Sequence, residues 1–236
     1  MGVHYAFLVL QEHPYGQEML RQLLAGGFEP ALVVEEDSAV AQEEREKFHK
    51  RLAGRPLPPT FDELLAGRPV RRVSVPHHNR AECERLLREA QPDLIVLGGT
   101  GIIRPNIFSL AQHGALNSHP GLLPQVRGSA SVAWSIYHDV PLGCTCHFID
   151  ADVDTGDIVG RRTISVHHGD TYELLVEKTI VLAGTLMVEA LQAFEQGTLQ
   201  RTPQSKEGAT YRVMPPEMVE QVKAKLAAGS YRHFAD

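Results

Sequence analysis

The 236 residues include only three cysteines, Cys83, Cys144 and Cys146. So small and odd a number in a chain without secretory features excludes a disulfide framework and predicts reduced thiols. Cys144 and Cys146 stand two apart, on one face of any strand that holds them, and read as packing residues in place of metal ligands. No apolar run approaches the roughly 20 residues that cross a bilayer. Met1 to Leu10 has neither a basic start nor a small-residue cleavage site. A cytoplasmic protein with no membrane partner is therefore expected. Positive charge is also in deficit, with 23 Lys and Arg against 29 Asp and Glu and a net charge of -6. No field draws in nucleic acid, and none is expected as a partner. The first turn, Gln11 to Gly16, lacks a glycine-rich nest for phosphate, which argues against a mononucleotide or dinucleotide there. The single tryptophan, Trp134, is expected to pack in the core.

What is present is an ordinary globular composition, 43 % hydrophobic and 22 % charged, in a chain long enough for a sizeable core. Val3 to Leu10 is nearly continuous in apolar residues, the pattern of a parallel strand covered on both faces. Met19, Leu20, Leu23 and Leu24 then fall at helical spacing, and Ala31 to Glu35 completes a βαβ unit. Asp37 to Leu52 reads as a charged, solvated helix in a surface insertion. After a short helix over 61–66 and a strand over 70–75, Asn79 is expected to cap a helix over 81–90, with Glu82 closing the capping box. Leu94 to Leu97 is the next buried strand, and it runs into the glycine-bearing loop Gly98 to Pro105. A strand over 158–166, a long amphipathic helix over 171–196 and a final helix over 217–227 complete the chain. The expectation is an α/β fold with a Rossmann-like, mainly parallel sheet of about six or seven strands flanked by helices. A main domain covers 1–196 and a small C-terminal extension covers 197–236.

The chemistry concentrates between Ala115 and Asp157. Asn117 and His119 end a short apolar strand, one pleat apart, so an amide and an imidazole share a face. Pro120, Gly121, Pro124 and Gly128 forbid regular structure beyond them, and Ser129 is expected to cap the helix that follows. A strand over 143–149 then feeds the turn Asp150 to Asp157, whose four carboxylates are too many to bury unpaired, so one of them is expected to meet His119.

The run N-S-H-P-G-L-L-P-Q-V-R-G at 117–128 resembles the N-x-H-x-x-L-L-P-x-x-R-G block of the folate-dependent formyltransferases, and V-D-T-G-D-I at 153–158 resembles their L-D-T-G-D-I/M block. That family includes methionyl-tRNA, glycinamide ribonucleotide and sugar N-formyltransferases. The resemblance implies the formyltransferase fold, 10-formyltetrahydrofolate as co-substrate, and Asn117, His119 and Asp154 as catalytic residues. It implies a pterin cleft between Gly99 to Pro105, with Gly101, Ile102 and Ile103 contacting the cofactor, and the Asp150 to Asp157 turn, with Asp150 and Asp152. The absence of the G-x-G-S-N loop removes the glycinamide ribonucleotide enzyme. The end of the chain, about one tRNA-binding domain early, points toward a small-molecule amine, with a nucleotide-linked amino sugar as the leading acceptor. A homodimer is one assembly this allows.

Transfer of a formyl group to an amine needs an oxyanion donor and a proton shuttle. Asn117 can be the donor and His119 a second donor or the shuttle. Asp154 can orient the imidazole and raise its pKa, and no metal is required. The competing readings are a 10-formyltetrahydrofolate hydrolase, whose family carries a further amino-terminal regulatory domain, and a folate-binding protein without turnover.

Overall fold

β1 (Tyr5–Leu10) is buried at all six positions, as a strand must be when helices cover both faces of a parallel sheet. The computed structural model describes residues 2–236. From β1 the chain proceeds through α1 (Pro14–Ala25), β2 (Leu32–Glu36), α2 (Ala39–Arg51), α3 (Phe61–Leu65), β3 (Arg71–Val75), α4 (Ala81–Ala90), β4 (Leu94–Leu97), α5 (Pro105–Phe108) and β5 (Ala115–His119). The second half runs β6 (Val126–Gly128), α6 (Ser131–Tyr137), β7 (Gly143–Phe148), β8 (Ile158–Thr163), α7 (Tyr172–Glu195), β9 (Ala209–Tyr211) and α8 (Pro216–Ala227).

Seven strands form one sheet in the order β3-β2-β1-β4-β5-β7-β8. The first five are parallel, β7 runs antiparallel to β5, and β8 runs antiparallel to β7. The winding reverses between β1 and β4, and the loops after these two strands lie against each other there, with Leu10 N donating to Gly99 O at 3.0 Å. Alternation divides the core. Tyr5, Phe7 and Val9 pack with Met19, Leu23, Cys144, Cys146 and Met187 on the α1 and α7 face, while Ala6 and Leu8 pack with Cys83, Leu86, Leu87 and Ile107 on the α4 and α5 face. The two strand cysteines are therefore core residues, and Cys144 Sγ donates to Thr179 O at 3.2 Å. The charged segment is a helix as expected, with Lys47 paired to Glu43 and Glu44 at 2.7 and 3.0 Å.

Two expected helix caps are not formed. Arg80, which makes no side-chain cap bond, stands at the N-cap of α4. Asn79 is used elsewhere: its Nδ2 donates to Ile102 O at 2.7 Å and its Oδ1 accepts from Arg104 N at 2.8 Å, so it clamps the loop after β4. Ser129 does not cap α6, which starts at Ser131 behind Ala130 in the left-handed region at φ 55°. Ser129 N is instead drawn to Tyr211 O at 2.9 Å, because β6 pairs in parallel with β9 in a second, two-stranded sheet.

If Asn79 is a clamp and not a cap, Asn79→Ala should lower stability by about 0.5–1.5 kcal/mol, the range for losing ordinary hydrogen bonds whose partners water can reach. Asn79→Ser keeps a good cap residue that is too short to span the loop, and it should be no better than alanine. Urea unfolding midpoints check this, and recovery by serine would restore the capping reading.

Candidate active site

β5 and β7 meet in antiparallel register with Asn117 opposite His147 and His119 opposite Thr145. These four side chains lie on the sheet face opposite Leu116, Cys144, Cys146 and Phe148, whose core contacts occupy the other face. Because β7 is antiparallel, the turn that follows it does not begin at the carboxyl edge of the sheet, where the loop after β4 lies. Phe148 pairs with Leu116, and Ile149 N donates to Ala115 O at 2.9 Å, so the turn starts level with the beginning of β5. It then folds back and brings Asp154 against the two histidines.

The Asp154 carboxylate is the hub. Its Oδ2 lies 3.3 Å from His119 Nδ1 and accepts from Gly128 N at 2.8 Å, while Oδ1 lies 3.5 Å from His147 Nε2. Burial alone would raise this carboxyl, but the His119 and His147 imidazoles and the Gly128 N–H outweigh it. Asp154 is held well below the usual carboxylate range. His119 is 3 % exposed, and burial pushes its pKa below the ordinary value even though the Asp154 charge works in the other direction. The rise expected from Asp154 is thus present but outweighed.

Tautomers follow from the partners. His147 Nδ1 lies 2.7 Å from Phe148 O and must donate there, which leaves Nε2 as the acceptor for Asn117 Nδ2 at 3.3 Å. One amide hydrogen of the half-buried Asn117 is consumed in that bond and the other is available. His119 Nε2 faces Val126 O at 2.8 Å and Ser131 Oγ at 3.1 Å, and Ser131 gives its own proton to Gly128 O. Both ring nitrogens of His119 therefore face acceptors. Gly121 is required beside the ring, since a Cβ there would stand 2.8 Å from His119 Nε2.

Asn117, His119 and Asp154 are thus gathered within one network, together with His147, which the sequence reading did not select. A histidine inside an apolar strand carries little signal by itself, and its value appears only once the β5–β7 register sets it opposite Asn117. Of the residues expected at the cofactor, Ile102 is 74 % exposed and Gly101 has open space around it, whereas Ile103 is only 6 % exposed and packs in the core. Asp150 organises the turn by accepting from Asp152 N at 3.2 Å and Thr155 Oγ1 at 2.6 Å, and both Asp150 and Asp152 are exposed. Beside Pro120 and Ser131 lies a cavity of about 50 Å³ bounded by Tyr15, Phe48, Arg51 and Tyr172. Arg51 has no carboxylate within ion-pair distance among the described residues.

Residues 4–191 match the model of the formyl transferase family, and the chain belongs to that family. It is 36 % identical over 130 residues to the methionyl-tRNA formyltransferase of Acetivibrio thermocellus, a match that covers 54 % of this chain and 42 % of that protein. It therefore spans about two fifths of the length of such curated relatives. The fold matches that of a sugar N-formyltransferase from Shewanella sp with a TM-score of 0.65 at 14 % identity, over 95 % of this chain and 87 % of that one. It also matches the formyltransferase PseJ from Anoxybacillus kamchatkensis, solved with a UDP-linked formamido sugar and tetrahydrofolate, with a TM-score of 0.59 at 19 % identity, over 96 % and 100 % of the two chains. No described helix is long and apolar enough to cross a membrane.

The buried, depressed His119 makes acid destabilising. An unfolded chain binds a proton at this residue below about pH 6.5, while the folded chain resists until its lower pKa is reached, so stability is lost as the pH falls through that window. His119→Gln should flatten the dependence of melting temperature on pH as the pH falls below about 6.5. An unchanged slope there would show that His119 titrates normally in the folded state.

Proposed function

We propose that this chain is the catalytic unit of an N-formyltransferase that moves a formyl group from 10-formyltetrahydrofolate to a small primary amine, with a nucleotide-linked amino sugar as the leading acceptor. The observation that carries the reading is the Asp154 carboxylate shared by two imidazoles beside a free amide hydrogen of Asn117, in a chain of the formyl transferase family. The cofactor side is assigned to the lip formed by Gly101 and Ile102, where an exposed apolar side chain and an open glycine suit a flat ring. The acceptor side is assigned to the surface beside Pro120 and Ser131, where the small cavity could take only the amine end and Arg51 offers a cation to an anionic amine.

10-Formyltetrahydrofolate would supply the formyl carbon and leave as tetrahydrofolate. Asn117 directs its remaining N–H at the formyl oxygen as that oxygen gains charge under attack by the amine. Asp154 is too weak a base to take the amine proton itself, so its part is electrostatic: it favours a proton on His119 or His147. With Nδ1 against that carboxylate, His119 can accept the proton released by the amine and return it to the departing nitrogen once its Nε2 turns from Val126 O toward the reacting atoms. A methionyl-tRNA acceptor is the second reading, favoured by the names of the curated relatives and opposed by the net charge of -6.

Tetrahydrofolate release should require an amine, and nucleotide-linked amino sugars should outperform neutral amino sugars and methionyl-tRNA in a panel. Release without any amine would establish a hydrolase, and no release with folate binding intact would establish a binding protein. Asn117→Ala should slow turnover by about 100- to 1000-fold with little change in folate affinity. Ile102→Asp should weaken 5-formyltetrahydrofolate binding, as read by calorimetry. The buried Ile103 offers no such test, since a charge there would disrupt the core.

A further inference from the structure

Asp154 is one of the few non-glycine residues in the left-handed region, at φ 54°. That conformation costs a side-chain-bearing residue on the order of 1–2 kcal/mol, so something must hold it. The peptide is gripped from outside the turn. Gln204 Nε2 donates to Asp154 O at 3.0 Å and to Gly156 O at 2.6 Å, bracketing the turn at two carbonyls. Arg127 Nε also donates to Asp154 O, at 3.3 Å.

The two grips are one unit. Arg127 is only 5 % exposed, and its remaining donors go to Glu207 O at 2.9 Å, Ser205 O at 3.0 Å and Gln204 Oε1 at 3.3 Å. No carboxylate of the described residues lies within ion-pair distance of this buried guanidinium, which is satisfied by carbonyl groups of the tail. The tail is anchored independently at Thr202, which exchanges 2.8 Å backbone bonds with Ile158, by the β6–β9 pairing, and by Trp134 Nε1 donating to Arg212 O at 2.8 Å. Gln204 lies beyond residue 191, where the family match ends.

We propose that Gln204 is a positioning residue for Asp154: by fixing the left-handed peptide at 154–156 it holds the carboxylate between His119 and His147. The inference rests on the functional reading only where turnover is concerned, because the geometry it asserts is that of the carboxylate and the two rings. Loss of the bracket lets the peptide relax and moves the carboxylate off the imidazoles, and displacements of about 1 Å at such groups can cost on the order of 100-fold in rate.

The test uses Gln204→Met, close to isosteric and without donors, and Trp134→Phe, which loosens the tail at a bond remote from Asp154. Imidazole titrations by NMR on histidine-labelled full chain are the first readout. Asp154→Asn should lower the apparent pKa of His119 by about 1–3 units, and Gln204→Met should lower it in the same direction by a fraction of that. Trp134→Phe should lower the melting temperature without moving the titration. A Gln204→Met titration identical to wild type overturns the proposal, as does an equal shift in Trp134→Phe, which would assign the effect to tail docking in general. Turnover is the second readout. Gln204→Met should reduce kcat about tenfold or more with folate affinity unchanged, and should add little to Asp154→Asn in the double variant. Full effects in both backgrounds would show that Gln204 acts elsewhere and overturn the proposal. Should Asp154→Asn retain full turnover while Gln204→Met still shifts the titration, the positioning role stands and the catalytic reading of Asp154 falls. If Gln204→Met does not fold, Gln204→Leu, which is also uncharged and without donors, takes its place under the same criteria.

Discussion

A buried carboxylate is tolerable only where hydrogen bonds and opposite charge replace water, and the arrangement around Asp154 follows from that requirement. Its partners come from separate segments: His119 ends β5, Gly128 ends β6 and His147 lies in β7. To bring them together β7 must run antiparallel to β5, and the turn after it must double back. Gly156 is part of the same requirement, since a Cβ there would stand 2.0 Å from Phe148 O, where the returning turn crosses its own strand. The glycine and the left-handed aspartate of the D-T-G-D block thus serve the placement of one side chain.

The electrostatics of His119 are set by two opposed demands. Both of its nitrogens face acceptors, so a neutral ring leaves one lone pair against an oxygen, and a protonated ring would satisfy every partner. Burial works against the protonated form and wins at equilibrium, which is why the pKa lies below its ordinary value. An imidazole held between such demands changes its proton occupancy in response to a small change in its surroundings. His147 is oriented differently. With Nδ1 committed to Phe148 O, its Nε2 in the neutral ring accepts from Asn117 Nδ2 and lies 3.5 Å from Asp154 Oδ1, to which it donates only when the ring is protonated.

Much of the frame was legible because burial on both faces of a parallel strand leaves a dense apolar run, as in Tyr5 to Leu10 and Leu94 to Leu97. The long helix α7 and the stripe of Cys83, Leu86 and Leu87 on α4 were legible for a related reason, their period. Asn117, His119 and Asp154 could be selected because short blocks in the sequence carry them. What stayed hidden depends on contacts between distant segments. β6 and β9 are three residues each and pair across about 80 positions, too short for any period to register. Asn79 has the spacing of a capping residue, and only the position of the 102–104 loop shows that its amide is used there. The side of the sheet from which the 150–157 turn departs depended likewise on the direction of β7, which alternation alone does not encode.

The tail illustrates how a segment of weak local signal acquires a structural role. Residues 197–236 are polar over much of their length, yet Met214, Val222, Leu226 and Tyr231 are buried with the α1 and α7 core, and the β9 segment lies against β6. Gly208 approaches Pro124 so closely that a Cβ would stand 1.8 Å from its carbonyl, so the backbone itself forms the contact. A buried guanidinium explains why the fit must be this close. Arg127 sits within the first motif, needs acceptors for its donors, and finds three of its four on the tail, two of them backbone carbonyls. Replacing that backbone by water would require opening the loop that carries Gly128, whose N–H is a ligand of the Asp154 carboxylate. The ordering of the tail and the ionised state of the central carboxylate are therefore linked through Arg127 and Gly128, adjacent residues that both donate to Asp154, one at its carbonyl and one at its carboxylate.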